Sequence, residues 1–214
     1  MVGLALGVIL VVEDRLISSV FPPPVAALIV LATWKLLTGA IHLDGLADSL
    51  DGIAGGDPDQ RLAIMREGRI GVFGALGLIV LLLLGFVALT GLEWPLRAKA
   101  LLLAPAVGRI TPLLLARTCD PATPGRGLGA AFIESVTSRA LGIGGVVAVA
   151  ASAAILWPWG LVAAGGGLAL AWTLGRYFSL RLGGLSGDGL GAGVELAELG
   201  VLMAFASLQH VGLV

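Results

Sequence analysis

Charged residues are scarce in this chain of 214 residues. Asp, Glu, Lys and Arg together make up 13% of it, whereas apolar residues make up 57%. The mean hydropathy is correspondingly high, at +1.01. A soluble domain carries roughly twice this share of charged residues. The composition therefore excludes an ordinary soluble fold and predicts an integral membrane protein, with the lipid bilayer as its first partner.

Other shortages exclude further classes of protein. The chain has one cysteine, Cys119, so no internal disulfide can form and nothing indicates an oxidising compartment. The formal net charge is -1, which leaves no broadly basic surface for phosphate backbones, and we expect no nucleic-acid partner. No basic residue precedes the N-terminal apolar run and no small-residue cleavage site follows it, which argues against a cleavable signal peptide.

Long apolar runs predict membrane-spanning helices, each of which needs about 20 residues. One of these runs, 2–21, is interrupted by the charged residues Glu13, Asp14 and Arg15. A short or shallow helix is nearly as well supported there as a full span. Strands are disfavoured because the runs are continuous rather than alternating. We predict an all-α, polytopic integral membrane helical bundle of six to seven transmembrane helices, forming one catalytic domain over 1–214. The six clearer windows are 25–41, 71–92, 101–116, 141–157, 161–180 and 190–214.

If each clear window crosses once, the loops fall into two groups. Loops 44–69, 117–139 and 181–189 share one side, and 93–99 and 158–160 share the other. The first side holds most of the basic residues, which predicts that it faces the cytoplasm. The opposite side has only two basic residues, Arg97 and Lys99. The arginines of the first side are Arg61, Arg66, Arg69, Arg117, Arg126, Arg139 and Arg181.

The most informative segment is 42–52, which places several carboxylates at the end of an apolar run. On a helix, Asp44, Asp48 and Asp51 stand at i, i+4 and i+7 and share one face. Three such like charges need a counter-ion, and carboxylate oxygens suit Mg²⁺ or Mn²⁺ bound to a diphosphate. The alternative is a solvated acidic loop beyond a membrane helix. Two roles are equally well supported for His42: it contacts a phosphate or a metal ion, or it is an interfacial residue at a helix end.

Two more segments on this side carry candidate ligand groups. Arg66 and Arg69 suit phosphate recognition, although a basic bias on the cytoplasmic side also explains them. The nearby glycines 71, 74 and 77 indicate close helix packing. A glycine-rich loop with Gly187 and Asp188 opens the last helix and offers either phosphate-binding amides or a simple tight turn. Since a carboxylate facing lipid would be unfavourable, we expect the later pair, Glu195 and Glu198, to point into the bundle.

At these residues the chain resembles the adenosylcobinamide-GDP ribazoletransferases, or cobalamin synthases. Members of that family usually begin with a longer N-terminal segment, and this chain starts inside the apolar stretch that follows it. Where they usually read Lys-Asp-Ser, this chain has 66–68, Arg-Glu-Gly. The blocks that carry the resemblance are 42–48 with 51–52, then 64–65 with 69–71 and 73–74, and near the C-terminus 187–188 with 190–192 and 195–198; weaker agreement comes from 103–105 with Arg109 and from 127–129 with Phe132.

The resemblance implies a Mg²⁺-dependent transferase of the prokaryotic cytoplasmic (inner) membrane. Its reaction would join α-ribazole, or its 5′-phosphate, to adenosylcobinamide-GDP with release of GMP. The residues then divide into metal ligands, catalytic groups and substrate-binding groups, and the general base is left open between Asp51 and Glu195. We assign metal binding to Asp44, Asp48, Asp51 and Asp188, catalysis to Asp48, Asp51 and Glu195, and substrate binding to His42, Arg66, Arg69, Gly187 and Glu198.

A different class remains as the alternative, a cation- or proton-coupled membrane transporter with an acidic intramembrane site. It predicts acidic residues spread through the depth of the membrane. In this sequence they gather near one side together with arginines, which favours a phosphate-bearing substrate. The oligomeric state stays open, and a homo-oligomer is compatible with the sequence.

Overall fold

The computed structural model describes residues 1–214 and is built from helices, with one isolated β-bridge between Pro121 and Leu185. The predicted all-α class is confirmed. The helices are α1 (Val2–Ile17), α2 (Pro23–Leu37), α3 (Ile41–Gly52), α4 (Pro58–Met65), α5 (Val72–Gly91), α6 (Leu96–Gly108), α7 (Thr111–Thr118), α8 (Gly127–Ser135), α9 (Ser138–Ile155), α10 (Trp159–Leu182) and α11 (Gly187–His210).

Four segments are long and apolar enough to cross a bilayer: α5, α6 with α7, α9 and α11. A fifth crossing is obtained if α2 and α3 count as one broken span, since they are bent by 86°. The predicted six to seven crossings are therefore not confirmed. Helix α1 has only 16 residues, and α10 contains a run of glycines and Arg176, which lower its hydropathy.

The break between α2 and α3 is an elbow at Gly39 and Ala40. Helix α2 ends in a Schellman motif, in which the Ala40 amide donates to the Lys35 carbonyl at 2.9 Å and the Gly39 amide to the Leu36 carbonyl at 2.9 Å. Both residues at the elbow have positive φ, 64° for Gly39 and 56° for Ala40. The predicted window 25–41 is therefore wrong only in its last four residues, because the helix stops at Leu37 and the chain turns.

Helix α11 lies at the centre of the bundle. It is buried on every side along most of its length, which is typical of a central helix rather than a lipid-facing one. Its glycines allow close approach: a Cβ at Gly200 would lie 2.8 Å from the Cα of Gly167 on α10, and a Cβ at Gly191 would lie 3.2 Å from the Cα of His42 on α3. Helices α3 and α10 therefore pack backbone to backbone against α11.

Helix α1 packs along α6. A Cβ at Gly7 would lie 2.8 Å from the Cα of Leu102, so the two backbones are in close contact. The acidic interruption of this apolar helix is explained by a buried ion pair between Asp14 and Arg97. The neighbouring Glu13 accepts a hydrogen bond from Thr33 at 2.6 Å. The two acidic residues that made this run doubtful as a span thus have partners inside the protein, whereas Arg15 is exposed.

Candidate active site

The acidic segment of the sequence forms helix α3, as predicted, and lies against the N-terminus of α11. A Cβ at Gly45 would lie 2.7 Å from the carbonyl oxygen of Asp188, so only glycine allows this approach. The contact brings Asp44 and Asp48 of α3 next to Asp188 of α11. We call these three residues the acidic rim.

The acidic rim has no cationic partner in the protein. The like charges of Asp44 and Asp188 lie near the Asp48 carboxylate. None of the three takes part in an ion pair with a basic side chain. As they stand, no three His, Cys, Asp or Glu side chains are arranged to hold a metal ion. The rim thus combines the donor chemistry and unbalanced charge of a hard-cation site with an arrangement that is not yet a chelate.

Asp51, the third carboxylate of α3, has a different environment. It is buried, and its two carboxylate oxygens accept hydrogen bonds from the amides of Gly71, at 2.7 Å, and Gly74, at 2.8 Å. These amides belong to the first turn of α5, whose N-terminal N–H groups have no partner within the helix. Asp51 therefore caps α5, a role the sequence interpretation did not assign to it.

The glycine stripe at the start of α5 is explained by the same contact. A Cβ at Gly71 or Gly74 would collide with the Asp51 carboxylate, and a Cβ at Gly77 would collide with the Leu50 side chain. The prediction that these glycines serve close helix packing is confirmed.

Glu195 and Glu198 point into the bundle, as predicted, and are 1% and 2% exposed. Lys35 Nζ lies 2.6 Å from Glu195 Oε2 and 2.9 Å from Glu198 Oε2. Arg109 Nη1 lies 2.7 Å from Glu198 Oε1. We call these four residues the charge layer. The layer joins three parts of the bundle: the end of α2, the residue that follows α6, and α11.

The sequence interpretation did not single out Lys35, and it mentioned Arg109 only as a weaker point of resemblance. A lysine inside the apolar window 25–41 is itself a signal, because a charged residue within a membrane-spanning segment is expected to have a partner. His42 lies on α3 two residues before Asp44, where its backbone packs against Gly191 of α11.

The three loops assigned to one side of the membrane converge in the structure. Arg61 of α4 donates to the carbonyl of Arg181 at 2.7 Å, which ties the first loop to the third. The Leu185 amide donates to the Asp120 carbonyl at 2.7 Å, which ties the third loop to the second. This part of the predicted loop arrangement is confirmed.

Two clefts flank the acidic rim. The larger has a volume of about 640 Å³ and contains Asp44, Asp48, Arg66 and Arg69 in its wall. The smaller, about 320 Å³, contains Arg66, Arg126, Ser186, Gly187 and Asp188. Arg66 lines both clefts. Arg69 lies in an exposed ion pair with Glu67, with a separation of 2.6 Å.

Residues 1–206 match the family model described as cobalamin-5-phosphate synthase. Proteins called adenosylcobinamide-GDP ribazoletransferase are similar over nearly the whole chain. The one from Ectopseudomonas mendocina (strain ymp) is 43% identical over 96% of this chain and 84% of its own length. The one from Pseudomonas aeruginosa (strain UCBPP-PA14) is 40% identical over 96% and 84%, and the one from Acetivibrio thermocellus is 35% identical over 95% and 83%.

No solved structure matches the chain. The family match covers both helices of the acidic rim and the entire charge layer. The chain belongs to the cobalamin-5-phosphate synthase family.

Proposed function

We propose that this chain joins α-ribazole, or its 5′-phosphate, to adenosylcobinamide-GDP, forming adenosylcobalamin, or its 5′-phosphate, and releasing GMP. The relatives that carry the name adenosylcobinamide-GDP ribazoletransferase support the class of reaction. The observation that carries the proposal is the acidic rim: Asp44, Asp48 and Asp188 lie together without a basic partner between two clefts.

The bond changes require two substrates to meet at one phosphorus. A ribose hydroxyl oxygen of ribazole forms a bond to the phosphorus attached to cobinamide, the bridging phosphorus–oxygen bond breaks, and GMP leaves with that oxygen. The hydroxyl proton passes to a carboxylate oxygen of the acidic rim that is not bound to the metal ion. Clefts on either side of the rim suit this reaction, since the attacking and leaving oxygens lie on opposite sides of the phosphorus.

Mg²⁺ fits the acidic rim by donor type and by charge. Asp44, Asp48 and Asp188 would hold the ion, which supplies neutralisation of the diphosphate charge as the bridging bond breaks. Arg66 lines both clefts and would grip a phosphate shared between them. Asp51 and Glu195, the two candidate bases, are already held by backbone amides and by Lys35. We therefore assign them supporting roles.

The other residues predicted to bind substrate have smaller roles in this proposal than Arg66. Gly187 lines the smaller cleft and allows substrate to approach the start of α11. Arg69 contributes to the edge of the larger cleft. His42 and Glu198 lie behind the acidic rim and support it from the interior.

The experiment that tests the proposal measures GMP release by the purified protein in detergent, with both substrates present. We expect release to require Mg²⁺ and to fall at least about 100-fold in Asp48→Asn. Asp59→Asn, which changes an exposed carboxylate of α4, is the matched control and should leave release unchanged. Release that persists after removal of both Mg²⁺ and the Asp48 carboxylate would refute the metal assignment.

We further propose that the acidic rim faces the cytoplasm from a prokaryotic inner membrane. The converging loops carry arginines that favour this side, including Arg66, Arg69 and Arg126. Cysteines placed at Gly187 and at Asp59 should both react with a membrane-impermeant reagent only from the cytoplasm. Labelling of the two positions from opposite sides would contradict the proposal.

The transporter alternative gains no support from the structure. Its path would need unpaired acidic groups through the membrane, whereas Glu195 and Glu198 are each paired with a buried cation. The unpaired carboxylates of the acidic rim lie at one end of the bundle, beside the clefts.

A further inference from the structure

We propose that the charge layer is a positioning device for the acidic rim. In this view Lys35, Glu195, Glu198 and Arg109 fix how far the carboxylates of α3 stand from Asp188 of α11, and thereby set the affinity of the rim for a divalent cation. The inference rests on the proposed function in one respect, that the rim binds such a cation.

The first observation is where Lys35 lies. It occupies the last turn of α2, immediately before the elbow from which α3 starts. Its ammonium group is held by Glu195 and Glu198 at 2.6 and 2.9 Å. These glutamates follow Asp188 on the same helix by roughly two to three turns. The ion pairs therefore attach the base of α3 to the helix that carries the opposing carboxylate.

The second observation is that α3 and α11 touch at their backbones further along. A Cβ at Gly45 would lie 2.7 Å from the Asp188 carbonyl oxygen, and a Cβ at Gly191 would lie 3.2 Å from the His42 Cα. Helix α3 is thus in contact with α11 near the rim, and the end of α2 that precedes it is tied to α11 at the charge layer. Two separated attachments fix the angle between two helices, whereas one would leave it free.

The third observation is that the elbow is short and hydrogen-bonded, so a shift of Lys35 is passed on to α3. The only residues between Thr38 and the start of α3 are Gly39 and Ala40, whose amides donate to the carbonyls of Leu36 and Lys35 at 2.9 Å each. Arg109, the residue after α6, holds Glu198 from the other side at 2.7 Å. A set of buried charges is an unfavourable way to gain stability, but each ion pair has a strict geometry and so can define one register.

The test is direct binding of Mn²⁺, measured by electron paramagnetic resonance on the detergent-purified protein without substrates. The variant Lys35→Met with Glu195→Leu removes one cation and one anion, so the layer stays neutral and Glu198 keeps Arg109. We expect its Kd for Mn²⁺ to rise about tenfold or more, as for other changes to groups that support metal ligands. The same variant should need correspondingly more Mg²⁺ for half-maximal GMP release.

The matched control is Asp14→Leu with Arg97→Met, which removes a buried ion pair between α1 and α6. Its Kd for Mn²⁺ should stay within about twofold of the original protein, since it alters no attachment of α3 to α11. Equal weakening in both double variants would show a general loosening of the bundle and would overturn the inference. An unchanged Kd in the Lys35 and Glu195 variant would overturn it as well.

A second variant covers the case in which the double variant does not fold. Glu195→Asp keeps every charge but shortens the side chain by one methylene, so Lys35 must move to keep its partner. We expect a smaller but measurable rise in the Kd for Mn²⁺, and an unchanged Kd would again contradict the inference. Failure of the original protein to bind Mn²⁺ would instead contradict the metal role given under the proposed function.

Discussion

Two groups of acidic side chains have opposite surroundings: the charge-layer pair lies on α11, and the acidic rim is shared between α3 and α11. In the charge layer, Glu195 and Glu198 are almost fully buried and each has a cation within 3 Å. In the acidic rim, Asp44, Asp48 and Asp188 lie beside open clefts and have no basic partner. The two groups differ because the buried glutamates are balanced by buried cations, whereas the rim aspartates are left free to meet a ligand.

The largest expected effect comes from breaking the paired group. Lys35→Met leaves two buried glutamates with a single arginine, and removing one partner of a buried pair typically costs about 3 to 5 kcal/mol of stability. We expect the free energy of unfolding in mixed micelles to fall by that amount. Adding Glu195→Leu should recover part of the loss, because the buried charge is again balanced. A single variant as stable as the original protein would show that the ion pairs do not hold the bundle.

Removing a charge from the unpaired group should have the opposite effect on stability. Asp48→Asn relieves repulsion from Asp44 and Asp188, so the free energy of unfolding without Mg²⁺ should stay the same or rise. GMP release should still fall at least about 100-fold. A clear loss of stability in the same unfolding assay would mean that Asp48 has a structural partner.

Asp51 lies on the same helix as Asp44 and Asp48, but its carboxylate is hydrogen-bonded within the protein. Asp51→Ala leaves the amides of Gly71 and Gly74 without their acceptor, and losing such a cap costs about 1 to 2 kcal/mol. We expect that loss in an unfolding titration, with Mn²⁺ binding retained. The control is Asp57→Ala, which removes the exposed cap of α4, where the carboxylate accepts from Gln60 at 2.9 Å, and should cost less. Loss of Mn²⁺ binding in Asp51→Ala would restore this residue to the metal site.

The two arginines at the clefts also differ in whether they have a partner of opposite charge. Arg66 lines both clefts and has no acidic partner, whereas Arg69 is paired with Glu67 on the surface. Arg66→Ala should raise the KM for adenosylcobinamide-GDP about tenfold, or about 1.4 kcal/mol. Arg69→Ala should have a smaller effect, and Arg117→Ala, an exposed control, should have none. A ranking with Arg117 first would contradict the role of the clefts.

The smallest effect is expected at the elbow. Ala40 has φ of 56°, a conformation that disfavours a side chain by about 1 to 2 kcal/mol. Ala40→Gly should therefore leave stability unchanged or raise it slightly. Ala63→Gly, in the exposed helix α4, should lower stability by about 1 kcal/mol in the same assay. Equal losses in both variants would show that the elbow is unstrained.

Much of the fold near the rim could be predicted because local signals determine it. The i, i+4, i+7 spacing of the aspartates indicated helix α3, and the glycine-rich loop before α11 marked the start of that helix. Ser186 is a standard signal of this kind, since its hydroxyl accepts from the Gly189 amide at 3.0 Å. The convergence of the three loops followed from sorting them by membrane side.

The remainder depends on contacts between distant residues. Lys35 and Glu195 are separated by 160 positions, so no local pattern connects them. Asp51 looked equivalent to Asp44 and Asp48, and only the approach of α5 distinguishes it. Hydropathy alone could not place the elbow after Leu37, because residues on both sides of it are apolar.

Anomalous scattering from crystals of the protein grown with Mn²⁺ would locate the cation site. We expect a peak in contact with carboxylate oxygens of Asp44, Asp48 and Asp188, and no peak among the charge-layer residues. A peak at Glu195 and Glu198, or carboxylates of the rim that face away from one another, would show that the unpaired acids do not form the cation site.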